Sequence, residues 1–164
     1  MKPSKTFRTL MSIALLGSAL TGLVGCDKSV NLDPVNPAWD RDTCTRCNML
    51  ISDHHFTAQI VNPQTGDHFS FDDLGCALDW LNKTHPTWAK DALIYATDAQ
   101  GEGWVNIQKG VIATPFVTPM SFGLGVVASA DKLPTDKKVV TLEEAQALVA
   151  EKIQSKAHHH AMGH

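Results

Sequence analysis

An unbroken apolar run from about Thr9 to Gly25, preceded by Lys2, Lys5 and Arg8, divides this chain into a part that cannot join a water-soluble core and a part that must build one. Positive charge followed by a short apolar stretch is the layout of an export signal. The run closes on Leu23-Val24-Gly25-Cys26, the form of a lipobox, in which small residues admit a signal peptidase and the cysteine thiol receives lipid. Residues 1–25 are therefore expected to be a lipoprotein signal peptide and Cys26 the lipidated first residue of the mature chain; an ordinary thiol after a conventional cleavage site is the alternative. A thioether-linked diacylglycerol together with an N-acyl chain exceeds the two signals that stable anchoring requires. The expected location is the cell envelope, on the periplasmic face of a membrane, and Asp27 after the lipidated residue hints at the inner one. No other stretch of the sequence holds the 18 or more apolar residues a spanning helix needs.

What remains, about 140 residues, is enough for one compact domain. The whole chain carries a net charge of −3, more negative still without its basic leader, and has no dense Lys/Arg patch, so nucleic acid is excluded as an expected partner. With Cys26 lipidated, Cys44, Cys47 and Cys76 are left in a compartment that permits disulfides. An odd count leaves at least one thiol that must be buried, metal-bound or paired elsewhere.

Residues 26–42, with Pro34, Pro37, Asn31, Asp33 and Asn36 and no apolar period, read as anchor and spacer. Alternation over Phe56–Val61, turn chemistry over Asn62–Asp67 and a return over His68–Phe71 predict a β-hairpin. Leu74, Ala77, Leu78 and Leu81 recur at helical spacing until Thr84-His85-Pro86, with Asp72 as the expected N-cap, and Ala92–Ala96 follows as a buried strand. The first unit is thus ββαβ. Strand candidates at about 104–114 and Leu124–Ser129 precede Thr141-Leu-Glu-Glu144, a capping box that opens a helix. The predicted class is α+β, with two homologous ββαβ halves at about 43–98 and 99–155, each a small antiparallel or mixed sheet packed on a helix. Residues 156–164, holding His158, His159, His160 and His164, read as a flexible, metal-avid tail suited to auxiliary metal capture; a tag fragment is the other reading.

The densest chemistry is Cys44-Thr-Arg-Cys47-Asn-Met49. Thiolate and thioether are soft donors that favour Cu(I), whereas Mg²⁺ or Ca²⁺ would call for carboxylates and carbonyls. If the loop is extended, Cys47 and Met49 project to one side. Covalent haem is excluded as a motif match, because Asn48 stands where histidine would be required. A thioredoxin-like pair would follow a strand and open a helix, and this pair follows a Pro-rich spacer. Structural zinc remains open, with Cys44, Cys47, Cys76 and His54 or His55 as ligands, and so does a disulfide between two of the three cysteines. His54 or His55 can alternatively close a three-coordinate copper site or simply face solvent, as His68 and His85 are expected to do. Met120, set in the Pro119-Met120-Ser-Phe-Gly123 turn, is a candidate ligand or transfer residue. Cys76, beside Ala77 and Leu78, reads as a small buried hydrophobe, and Asp72-Asp73 as helix capping. No Ser/His/Asp order, phosphate-cradling glycine loop or His-Glu-x-x-His is present, so nothing argues for an enzyme.

Taken together, Cys26, Cys44-x-x-Cys47-Asn-Met49, Phe71-Asp-Asp-Leu-Gly-Cys76, Tyr95 through Asp98, Trp104 and Pro119-Met120-x-x-Gly123 resemble the NosL family, copper-binding accessory lipoproteins of nitrous oxide reductase assembly. The resemblance spans about residues 42–130. It implies two ββαβ halves, Cu(I) binding, and delivery to an ABC-type membrane maturation complex and thence to a multicopper reductase. Carried over by position, Cys47 and Met49 match the family's Cys-x-Met and are implied as first ligands. Asn48 departs from the glycine the family often has there.

Overall fold

The computed structural model describes residues 30–162. The export signal, Cys26 and His164 lie outside them. The chain order is β1 (Ala58–Val61), β2 (His68–Phe71), α1 (Leu74–Thr84), β3 (Leu93–Thr97), β4 (Trp104–Asn106), β5 (Val111–Thr114), β6 (Gly125–Val127), β7 (Lys138–Val140) and α2 (Leu142–Met162). Two antiparallel sheets result, one ordered β2-β1-β3-β4 and the other β6-β5-β7. The α+β class is therefore observed. An isolated parallel bridge from Asp98 to Val126 joins the sheets.

The first unit has the predicted ββαβ order. The second does not repeat it: β4 pairs with β3 in the first sheet, and β5, β6 and β7 all precede α2. Strand β7, exposed at Lys138 and Val139, lacks the apolar alternation that would have revealed it.

Helix α1 begins one residue later than expected. Its N-cap is Asp73, extended at φ −153°, whose carboxylate accepts from the Gly75 N–H at 2.8 Å. The helix ends at His85, φ 42°, whose N–H returns to the Leu81 carbonyl. Its apolar face, Leu74, Ala77 and Leu78, is buried with Ile60, Phe71 and Ile94 of the sheet. The capping box at α2 forms as read, Glu144 N–H donating to Thr141 Oγ1 at 3.1 Å and Thr141 N–H to Glu144 Oε2 at 2.8 Å.

Two segments depart from expectation. Residues 30–37, read as part of a spacer, lie docked across the outer face of the first sheet. Gln59 on β1 holds Val35 through both its side-chain atoms, donating to the carbonyl at 3.0 Å and accepting from the N–H at 2.8 Å. His68 on β2 meets the Asp33 carbonyl, Tyr95 on β3 donates to that of Leu32, and Trp104 on β4 donates to Asn36. Covering of this kind buries every residue of β1, Gln59 included, where alternation alone predicts one open face. At the other end, α2 continues through Met162, so residues 156–162 are helical, where the sequence offered no helical period. Alanine, histidine and methionine impose no stop, and the first helix breaker is Gly163.

Candidate metal centre

Residues 43–50 form a tight loop closed by an antiparallel bridge between Thr43 and Leu50. Cys44 N–H donates to the Met49 carbonyl at 2.8 Å, and Asn48 N–H to the Cys44 carbonyl at 2.9 Å. The reversal needs a left-handed residue, and Asn48 supplies it at φ 59°. Asparagine is among the few side chains that tolerate that region, so asparagine or glycine satisfies the position equally. The loop is consequently not extended between Cys47 and Met49. Cys47 packs on the core, whereas Met49 is 56 % exposed.

The loop rests on the end of β2, where Thr45 N–H donates to the Ser70 carbonyl at 2.9 Å. Shortly past that strand end the chain enters α1, whose first turn carries Cys76. Loop and helix thereby bring Cys44, Cys47 and Cys76 together, with their sulfurs all within 4.8 Å of one another. All three are free thiols; Cys44 and Cys76 are fully buried and Cys47 is partly exposed. Among the described residues this is the one group of three or more His, Cys, Asp or Glu side chains close enough to share an ion.

The environment sorts the three thiols by acidity. Cys44 is lowered to about 5, chiefly by its hydrogen bond with the Cys76 thiol; burial opposes this, and the backbone N–H groups of Asp72, Cys47 and Arg46 assist. Cys76 is pushed up, first by that same hydrogen bond and then by burial and the neighbouring negative charge. Cys47 is raised, mainly by burial. The surroundings thus favour the thiolate at Cys44 and the protonated thiol at Cys47 and Cys76. Arg46, inside the Cys-x-x-Cys loop, pairs with buried Asp79, directs Nη1 to the Cys76 sulfur at 3.9 Å and lies over the Phe122 ring at 5.5 Å. A fixed cation beside the cluster favours the charged forms of the sulfurs.

The remaining sequence candidates fall in three places. Met120, half-buried, lies in a turn fastened to the same end of α1: Asp73 Oδ2 accepts from Thr118 Oγ1 at 2.6 Å and from Met120 N–H at 3.2 Å. Phe122 seats against Gly75, so the turn lies directly on the helix start. His54 and His55 do not join the thiols. They line a separate cleft of about 330 Å³ with Trp39, Trp104 and Glu102; His54 stacks on Trp39 at 4.0 Å, and His55 Nδ1 meets the Asp98 carbonyl at 3.3 Å. His158 is exposed on α2, and His159 and His160 follow it in the same helix.

Cys76, which reads first as a small buried hydrophobe and stands beside Cys44 and Cys47 only in the zinc and disulfide alternatives, is the site residue that the copper reading of the sequence leaves out. It is buried, as expected of a small hydrophobe, but its sulfur faces the loop. One available signal was the odd thiol count, which asked for an account of all three cysteines; another was its place three residues after the helix cap. Asp72, pushed up to about 6 by burial and then by the charge of Cys44, lies at the rim, its own N–H directed to Cys44.

No family model matches the chain, and no curated protein is significantly similar to it. Among solved structures it is similar to the crystal structure of the copper chaperone NosL from Shewanella denitrificans, with a TM-score of 0.48 and 11 % identity, over 72 % of this chain and 87 % of that one.

Proposed function

We propose that this chain is a NosL-like, lipid-anchored metallochaperone that carries Cu(I) as cargo on the periplasmic face of a membrane. The observation that carries this reading is the three-thiol cluster: Cys44, Cys47 and Cys76 with mutual sulfur distances inside 4.8 Å, two buried and one reaching the surface. Soft, polarizable sulfur suits Cu(I). Structural zinc closes a site with four N/S ligands, and no histidine among the described residues joins these three. A three-donor set reached from outside by Cys47 and flanked by the exposed thioether of Met49 suits an ion that has to leave again. Handover proceeds by ligand exchange, as an incoming sulfur or imidazole displaces one donor at a time, and requires no catalytic residue. The receiving partner in this reading is an ABC-type membrane maturation complex serving a multicopper enzyme, nitrous oxide reductase first among them. The histidines on the last turns of α2 serve as auxiliary capture sites.

The test is a Cu(I) competition titration against a chromophoric chelator on reduced protein. One tight site is expected, weakened at least about tenfold by Cys47→Ser or Cys76→Ser. Retention of full affinity by both variants, or absence of a tight site, overturns the reading. A second reading, a metal-free adaptor stapled by one disulfide, draws on the same proximity, since sulfurs this close pair readily once an oxidant is supplied. Thiol counting on anaerobically purified protein separates the two: three thiols that Cu(I) protects support the chaperone, whereas a single accessible thiol supports the staple.

A further inference from the structure

The anchored end and the thiol end of this domain lie at opposite poles, and the connection to the anchor is short. The docked segment begins at Val30 beside the β1–β2 turn, where a side chain at Gly66 would meet Val30 Cγ1 at 2.7 Å and the Asn31 carbonyl oxygen at 3.0 Å. Only Asp27, Lys28 and Ser29 separate Val30 from Cys26. Four Cα-to-Cα steps reach at most about 14 Å. The Asn62–Asp67 turn therefore cannot leave the immediate neighbourhood of a lipid attached at Cys26.

The thiols occupy the other pole. Strand β1 runs from Ala58 to Val61, pairing Val61 with His68 at the turn end and Ala58 with Phe71 at the far end. The Cys44–Met49 loop sits on Ser70, and Cys76 lies in the first turn of the helix that starts just after Phe71. Strand β1 alone contributes about 10 Å of separation, with the turn and the cysteine loop added at either end.

We propose that the anchored protein stands on the bilayer by its Asn62–Asp67 turn, with Cys44, Cys47, Cys76 and Met49 directed away from the membrane surface. The occupant of the turn pole is the lipid headgroup layer, fixed by the length of chain outside the described residues and the place where it ends. The exposed side chains of the turn are polar, Gln64, Thr65 and Asp67, with Val30, 42 % exposed, beside them, so the pole meets headgroups chiefly through polar groups. The partner that takes the cargo must accordingly present its acceptor site well above the bilayer rather than at the lipid boundary.

This rests on lipidation at Cys26, and the experiment reports on that separately. Mature protein purified from membranes is first weighed by mass spectrometry; absence of the lipid adduct sinks the anchoring reading itself. Lipidated protein is then placed in nanodiscs containing a gadolinium-chelating lipid, and amide relaxation is compared at Thr65 and Gly66 with that at Cys47 and Leu50. Several-fold greater enhancement at the turn is expected. Equal enhancement at both poles, or the reverse order, overturns the orientation while leaving lipidation intact. A Gly/Ser insertion of about 15 residues between Ser29 and Val30 gives the anchor a root-mean-square reach of some 20 Å and is expected to erase the contrast; a contrast unchanged by the insertion shows that something other than the short connection sets it.

Discussion

Replacing Gly75 by alanine tests whether the Met120 turn is truly seated on the start of α1. A Cβ built there stands 2.5 Å from both Cβ and Cδ2 of Phe122, and Phe122 is only 3 % exposed. The obstructing atoms belong to the base of a buried ring rather than to the end of a flexible chain. The 118–123 turn must therefore move bodily, and its movement pulls Thr118 Oγ1 and Met120 N–H from Asp73. Overpacking of a well-packed site costs about 1–3 kcal/mol. Because the obstructing ring is buried, the upper part of that range, about 2–3 kcal/mol, applies; alanine in a helix recovers about 1 kcal/mol relative to glycine, which leaves a net loss of about 1–2 kcal/mol. Urea unfolding monitored by tryptophan fluorescence should show a lower midpoint at unchanged slope. Phe122→Ala should cost distinctly less in the Gly75→Ala background than in the wild type, because the clash has gone; such neighbours couple by about 0.5–3 kcal/mol. A variant as stable as the parent, or additive behaviour in the double variant, would refute the seating of the turn.

Three further outcomes are expected. In the folded protein Cys44 ionises at about 5 against an ordinary 9.0, so between those values the native state binds fewer protons than the unfolded chain; the stability of the reduced apoprotein rises with pH across that window and falls on acidification, and urea unfolding of Cys44→Ser over the same range should lack the slope. Asp72, raised to about 6, acts with the opposite sign between its ordinary value and 6, its cost being complete above that, so Asp72→Asn should raise the neutral-pH unfolding midpoint of the same apoprotein. Asn48→Gly should leave unfolding and Cu(I) affinity within error, whereas Asn48→Val, forced to φ 59°, should lose about 1–2 kcal/mol and weaken Cu(I) in the competition titration; equal behaviour of the two variants would show that the loop does not hold the site.

The legible parts of the molecule were those in which one local signal decided the structure. The β1–β2 hairpin, α1 and the capping box of α2 each announced themselves through periodicity, turn residues or a side chain reaching its own helix end. The Cys-x-x-Cys loop was legible as chemistry because its donors sit within six positions. Strand β7 was not, since it is a three-residue edge whose first two side chains are exposed. The docking of residues 30–37 was hidden for a different reason: its bonds run from main-chain atoms to Gln59, Tyr95 and Trp104, and the Asn36 side chain apart, nothing in the segment's own residues records them.

Cys76 belongs to that second kind. Its helical register gives it to the core, and burial is what the register delivers; the sulfur finds partners only because the loop of Cys44 and Cys47 is pinned to Ser70, at the strand end from which α1 departs. The same pinning makes the cluster asymmetric. Two donors ride on a small loop held by a few backbone bonds, while the third is fixed in a helix that the Asp73 cap and the Phe122 contact lock to the core. Moving the loop would separate Cys44 and Cys47 from Cys76 at the cost of the Thr45–Ser70 bond to β2 and of the burial of Cys44. Under the carrier reading proposed above, the short 43–50 loop is the part that would move to release an ion, because its two donors can leave the third while the helix that holds Cys76 stays capped.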